Sequence, residues 1–183
     1  MPINKTIFKV IIVGEGGVGK TSLVKRSVDD YFKEDMKMTI GVDLSVKKMT
    51  CDGQDKYLQI WDLGGQPHFK AVADLYFRGS HGVMAVFDVT RRASMDRLED
   101  WIGRVQSILG ILPMIVVGNK IDLRDPRIGD VGVSEKEGQK FASKYKSPYL
   151  ETSAKDNSGV AKAFQALSDM LKPKPRADVQ PHV

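Results

Sequence analysis

The stretch GEGGVGKT, residues 14–21, decides how the rest of the chain is read. It fits the pattern G-x-x-x-x-G-K-[ST], and it stands between IFKVIIV (7–13), which reads as a buried strand, and KTSLVKRSV, which has helical spacing. Glycines let a backbone wrap closely round an anion so that several N–H groups point inward, and the start of a helix adds positive dipole. The candidate binding residues are therefore Glu15, Gly16, Gly17, Val18, Gly19, Lys20, Thr21 and Ser22. Lys20 brings a point charge to the outer phosphates, and Thr21 offers a hydroxyl to Mg²⁺, a hard cation that takes oxygen ligands. A merely glycine-rich loop would lack this strand–loop–helix setting. The stretch reads as a nucleoside triphosphate site.

Outward from the loop, apolar runs alternate with helical patterns, the mark of parallel strands joined by crossover helices. LSVKKMT and KYLQIWD flank Cys51-Asp52-Gly53-Gln54, and Asp-Gly predicts a tight hairpin with antiparallel pairing. GVMAVFDV (82–89) and MIVVGN (114–119) are continuous apolar runs that suit central strands buried on both faces. Between them, Met95, Leu98, Trp101, Ile102, Val105 and Ile108 fall at helical spacing over 91–109, so Trp101 reads as core. SEKE (134–137) has the form of a capping box and opens a helix expected to run through Tyr145. A strand in PYLET and a helix from Gly159 to Leu171 complete the pattern. The expectation is one α/β domain over 1–172, with six strands and five helices, and a disordered tail at 173–183.

The bulk properties narrow the class. The chain has 183 residues, one cysteine and a net charge of +5. A lone Cys51 excludes a disulfide framework and suits a reducing, cytoplasmic setting. No apolar run is long enough to span a membrane. MPINKTIFKV has no secretory h-region and no Gly at position 2, and KPKPRADVQPHV has no cysteine to prenylate. The net charge reads first as a solvated surface, with room for weak or partner-mediated attraction to acidic membranes. Without a basic stripe carrying interleaved aromatics, nucleic acid is not expected as a partner.

GNKID (118–122) and ETSAK (151–155) follow predicted strands, and ligands of open α/β sheets sit at the carboxyl ends of strands. Guanine presents two donors, N1–H and the 2-amino group, which one carboxylate accepts together; adenine lacks that pair. Asp122 would thus select guanine, with Asn119 tying the loop and the Lys120 stem lying along the ring. The Ala154 N–H would donate to O6, supported by Ser153 and Lys155.

With TIGVD (39–43), WDLGGQ (61–66), NKID and ETSAK in this order, the chain resembles a Ras-superfamily small GTPase from about Phe8 to Leu171. Within it, MTIGVDLSVKK, LQIWD, YFRGSHGVMAVFDVT and VSEKEG are similar to the Rab-like branch, whereas Leu-Gly-Gly-Gln is closer to the Arf branch. The resemblance implies a P-loop NTPase fold with a mostly parallel sheet and one antiparallel edge strand. It implies GTP/GDP and Mg²⁺ as ligands, slow hydrolysis, and effectors, an exchange factor and a GTPase-activating protein as partners of a monomer. Residue by residue, it implies Phe32 against the guanine edge and Thr39 on Mg²⁺ and the γ-phosphate. Asp62 would hold the metal through water, and the Gly65 N–H would touch the γ-phosphate. Gln66 would position the attacking water, with Lys20 and Thr39 completing the catalytic set. Ile40, Leu44, Trp61 and Tyr76 match an apolar surface that holds effectors, though Trp61 on a strand edge would equally suit inward packing.

The chain also departs from the family. Pro67 replaces the usual acidic residue after the glutamine. Proline suits the first position of a helix and pushes its predecessor toward extended conformations, so Pro67 is expected to start a helix and narrow the conformations of Gln66. Met36 and Met38 stand where an aromatic and a proline or serine are common. His68 and His81 read as structural rather than metal-binding. Three classes stay open here. One is a GTP-hydrolysing switch; another is a GTP-binding interaction module with little turnover. The last is an ATPase or kinase, against which Asp122 argues.

Overall fold

The computed structural model describes residues 6–33, 39–51, 53–66, 70–124 and 132–173. Met36, Met38, Asp52, Pro67, His68 and the end of the chain from 174 lie outside these, as do the expectations placed on them.

The strands are β1 (Thr6–Val13), β2 (Val42–Cys51), β3 (Gln54–Leu63), β4 (Gly82–Asp88), β5 (Met114–Asn119) and β6 (Tyr149–Thr152). They form one sheet in the order β2-β3-β1-β4-β5-β6. Every neighbouring pair is parallel except β2 and β3, which pair antiparallel with Cys51 opposite Gln54, as the Asp-Gly hairpin signal requires. The helices are α1 (Lys20–Asp29), α2 (Lys70–Phe77), α3 (Arg92–Asp96), α4 (Leu98–Leu109), α5 (Glu135–Ser143) and α6 (Val160–Met170). The pieces α3 and α4 meet at Arg97, which keeps right-handed helical angles (φ −73°, ψ −15°), so the described residues hold five helices with one of them jointed.

The alternation of β1 shows how the core is divided. Phe8, Val10 and Ile12 point to one face, where Leu23 and Val24 of α1 and Phe164 and Leu167 of α6 cover them. Ile11 and Val13 point to the other, among Ala73 and Phe77 of α2, Trp101 and Ile102 of α4 and Phe141 of α5. The seven residues of β4 and six of β5 are all buried, as strands covered on both faces must be. Trp101 is 1% exposed and belongs to this core.

Helix ends differ from the expectation by a residue or two. The capping box forms in full: the Ser134 hydroxyl accepts from the Glu137 N–H, and the Glu137 carboxylate accepts from the Ser134 N–H at 2.9 Å. At the other end, α5 stops at Ser143 rather than Tyr145. The Tyr145 N–H turns back to Ala142 O at 3.0 Å, three residues earlier, and Lys146 takes a left-handed φ of 53°.

Candidate functional site

The phosphate-loop motif leaves β1 and enters α1 through Gly19, whose φ of 96° is open to glycine and strained for other residues. A Cβ there would also fall 2.3 Å from Asn119 Nδ2. Lys20 is buried and folds back along the loop, donating from Nζ to Gly14 O and Glu15 O, both at 2.9 Å. Burial pulls its ammonium down to about 8, against the opposing pull of the Asp62 and Glu15 charges. Two further carbonyls of the loop are held from outside: Asn119 Nδ2 donates to Val18 O at 2.9 Å, and Arg91 Nη2 donates to Gly16 O at 3.2 Å. The Glu15 side chain accepts from Arg97 and lies 3.9 Å from Arg91 Nη1.

Beside Lys20, three oxygen-bearing side chains converge. Thr21 Oγ1 lies 2.6 Å from Thr39 Oγ1 and donates to Asp62 Oδ2, and Thr39 Oγ1 is 3.5 Å from the same carboxylate oxygen. Asp62 is 1% exposed, and its other oxygen, Oδ1, is buried without a hydrogen-bond partner. Burial raises this carboxyl above its ordinary value, opposed chiefly by the Thr21 hydroxyl and the Lys20 charge. A set of hard oxygens around an unsatisfied buried carboxylate fits a small divalent cation such as Mg²⁺. No cluster of three or more His, Cys, Asp or Glu stands among the described residues. The His81 Nδ1 accepts the Lys9 N–H at 3.0 Å, and its ring meets Phe8 edge-on.

The end of β3 docks on the loop. Gly65 O accepts the Gly16 N–H at 3.1 Å, and a Cβ on Gly65 would lie 2.4 Å from Gly16 N, so this approach admits only glycine. The Gly16 amide, expected to point at phosphate, is therefore engaged by Gly65 here. Gln66 follows directly and lines the cavity.

That cavity has a volume of about 260 Å³ and runs from Gly16, Gly17 and Lys20 past Thr21, Ser22 and Thr39 to the loops after β5 and β6. At the far end Asn119 is buried, and its Oδ1 accepts from the Thr152 hydroxyl at 2.9 Å while its amide holds Val18. Asp122 Oδ1 accepts from the Ser153 hydroxyl at 2.6 Å. Lys120 adopts a left-handed φ of 70° and places Nζ 2.9 Å from Asp88 Oδ2. Burial alone would raise the Asp88 carboxyl, but the Thr90 hydroxyl and Lys120 hold it below its ordinary value. Phe32, Ala154 and Lys155 complete the wall. Glu15 turns toward Arg97 and Arg91 and does not line the cavity, while Val18, Asp62 and Ser153 stand behind the lining.

The sequence reading had no signal for several contributors. Lys33 and Leu123 also line the cavity. Arg26 donates from Nε to Ala154 O at 2.8 Å and from Nη2 to Lys155 O at 3.1 Å, with its guanidinium 5.8 Å from the Phe32 ring. Only the sheet order brings α1 beside these loops. On the far face, Ile40 is 87% and Leu44 51% exposed, and Leu44 lies opposite Trp61 in the hairpin register. Trp61 is half-buried, 6.0 Å from Tyr76 between ring centroids and 4.3 Å beneath Lys9 Nζ.

A strand–loop–helix phosphate cradle at one end and a loop-built base pocket at the other mark a P-loop nucleotide-binding protein. The family model described as Ras family matches residues 9–172. The chain is 41% identical over 172 residues to Ras-related protein Rab-18-B of Danio rerio, covering 93% of this chain and 82% of that one. It is 38% identical over 167 residues to GTP-binding protein YPT1 of Saccharomyces cerevisiae, covering 91% and 79%. The chain belongs to the Ras family, within its Rab-like branch, and is a GTP-binding molecular switch with GTPase activity. None of its described helices is long and apolar enough to cross a membrane.

Proposed function

We propose that the domain over 1–172 holds GTP or GDP in this cavity, phosphates in the cradle of Gly16–Ser22 and base against Asp122, and hydrolyses GTP slowly. The observation that carries the reading is the convergence of Thr21, Thr39 and Asp62 beside Lys20, with Gln66 on the same cavity wall. Thr21 and Thr39 would hold Mg²⁺, with Asp62 behind them through water. The ion supplies charge neutralisation on the phosphate oxygens.

Hydrolysis adds water to the γ-phosphorus as the bond to the β–γ bridging oxygen breaks, and it calls for positioning and charge more than covalent chemistry. A carboxamide both accepts and donates, so the Gln66 oxygen accepts a hydrogen bond from the water while its NH₂ faces a phosphate oxygen. Lys20 leaves the Gly14 and Glu15 carbonyls for the phosphates, where its charge is fully held. The Thr39 hydroxyl stands beside Thr21 and Asp62, so a γ-phosphate that engages it would order the segment around it, and loss of that phosphate would release it. The exposed face of Ile40 and Leu44, with Trp61 and Tyr76, then changes between states and presents a surface for effectors.

The test is single-turnover hydrolysis with Mg²⁺ on wild type beside Gln66→Leu. The leucine variant should hydrolyse GTP more slowly by about tenfold or more, since each ~1.4 kcal/mol of lost transition-state stabilisation is one decade in rate. Its GDP affinity should stay unchanged. Equal rates would remove Gln66 from the chemistry.

A further inference from the structure

Arg91 stands outside the motifs that mark the site, yet it reaches the phosphate loop from behind. Its Nη2 donates to Gly16 O at 3.2 Å, its Nη1 lies 3.9 Å from Glu15, and its Nε donates to Asp88 Oδ2 at 3.3 Å. Asp88, nearly buried, also receives the Thr90 N–H, the Thr90 hydroxyl and Lys120 Nζ. One carboxylate therefore joins the arginine behind the phosphate loop to the lysine of the base loop.

A trans peptide points its C=O and N–H in opposite directions. A cation on the outer side of the Gly16 carbonyl thus turns the N–H of the same peptide, that of Gly17, inward. It also polarises that amide, because hydrogen bonds in series strengthen one another. Asn119 does the same to the next peptide but one, through Val18 O and the Gly19 N–H. Glu15 would otherwise set a negative charge on a loop that binds anions; Arg91 and Arg97 offset it.

We propose that Arg91 is a positioning residue of the phosphate site, holding the Gly17 amide on the nucleotide's phosphates and, through Asp88, fixing the phosphate loop to the base loop. This rests on the reading that the cavity holds a guanine nucleotide.

The test compares wild type, Arg91→Ala, Arg91→Lys and, as a control that loses the same charge one residue on, Arg92→Ala. Arg92 bonds Gly132 O and Glu137 instead of the loop. Two quantities are read: the dissociation rate of a fluorescent GDP chased by excess GDP, and the Gly17 amide proton shift in the GDP-bound protein. The loss of one charge-assisted bond predicts about tenfold faster release from Arg91→Ala, with the Gly17 resonance moving upfield. Arg92→Ala should stay within about twofold of wild type, and Arg91→Lys should fall between, since lysine lacks the planar fork that spans Gly16 and Asp88. Equal release from the Arg91 and Arg92 variants, or an unmoved Gly17 resonance, overturns the proposal while the nucleotide reading stands. Wild type that binds no GDP overturns both.

Discussion

At Asp122, on the reading proposed above, the choice of base comes down to one carboxylate. The Ser153 hydroxyl fixes it at 2.6 Å, and it lines the cavity wall. Asp122→Asn replaces one of two acceptors by a donor. Guanine's paired donors then lose a partner, whereas xanthine, with an oxygen at C2, gains one. GDP affinity should fall about 10- to 100-fold, the range expected for one bond to a charged group, and XDP should bind better than GDP; competition between the two nucleotides measures it. Residues such as Asp122 were legible in the sequence because they sit in short motifs that follow the phosphate loop in a set order, even though the partner of Asp122, Ser153, lies 31 positions away. Arg91 and Arg26 were not. Their partners lie 75 and 128 positions away, and an arginine in a helical or loop stretch looks like any solvated charge until the fold closes.

Helices and strands were legible wherever the pattern was local. The Ser134–Glu137 box is a local pattern of four residues, and its chemistry sets a pH dependence. The Ser134 N–H, then its hydroxyl and Arg92, hold the Glu137 carboxyl down at about 2 from an ordinary 4.5. A depressed acid contributes stability that is complete above 4.5 and is lost as pH falls from 4.5 toward 2. Glu137→Gln should therefore melt lower than wild type near pH 6.5, with the gap narrowing as pH drops below 4.5. Because the pair is well exposed, solvent screening keeps the gap to a few degrees, roughly 2–4 °C. Melting curves at pH 6.5, 4 and 3 decide it; a constant gap would remove Glu137 as the cause. The joint at Arg97 had no such signal, because the apolar spacing runs unbroken across it from Met95 to Leu98.

Across the whole molecule, both tryptophans lie on one face of the sheet, Trp101 within the core there and Trp61 at its border. Trp61 stands half-buried beside Tyr76, at the surface proposed for effectors, and Trp101 of α4 is sealed in the core. Replacing GDP by a non-hydrolysable GTP analogue should change the emission of Trp61 and leave Trp101 silent. The change should vanish in Trp61→Phe and persist in Trp101→Phe; persistence in the first would place the moving surface elsewhere. The hairpin was legible from Asp-Gly, but the sequence left open how Trp61 divides its ring between neighbours and solvent, since that depends on a helix more than ten positions away. The knot at Asn119 carries a different consequence, for how the protein is made. One amide joins Val18 to Thr152, partners 101 and 33 positions from it. The cradle emerges from the ribosome early, but it cannot be locked until Thr152 has followed. At ~5–20 residues per second that is a wait on the order of ten seconds. A nascent chain therefore cannot close this tie, and with it the support of the Gly19 amide, until Thr152 has left the ribosome.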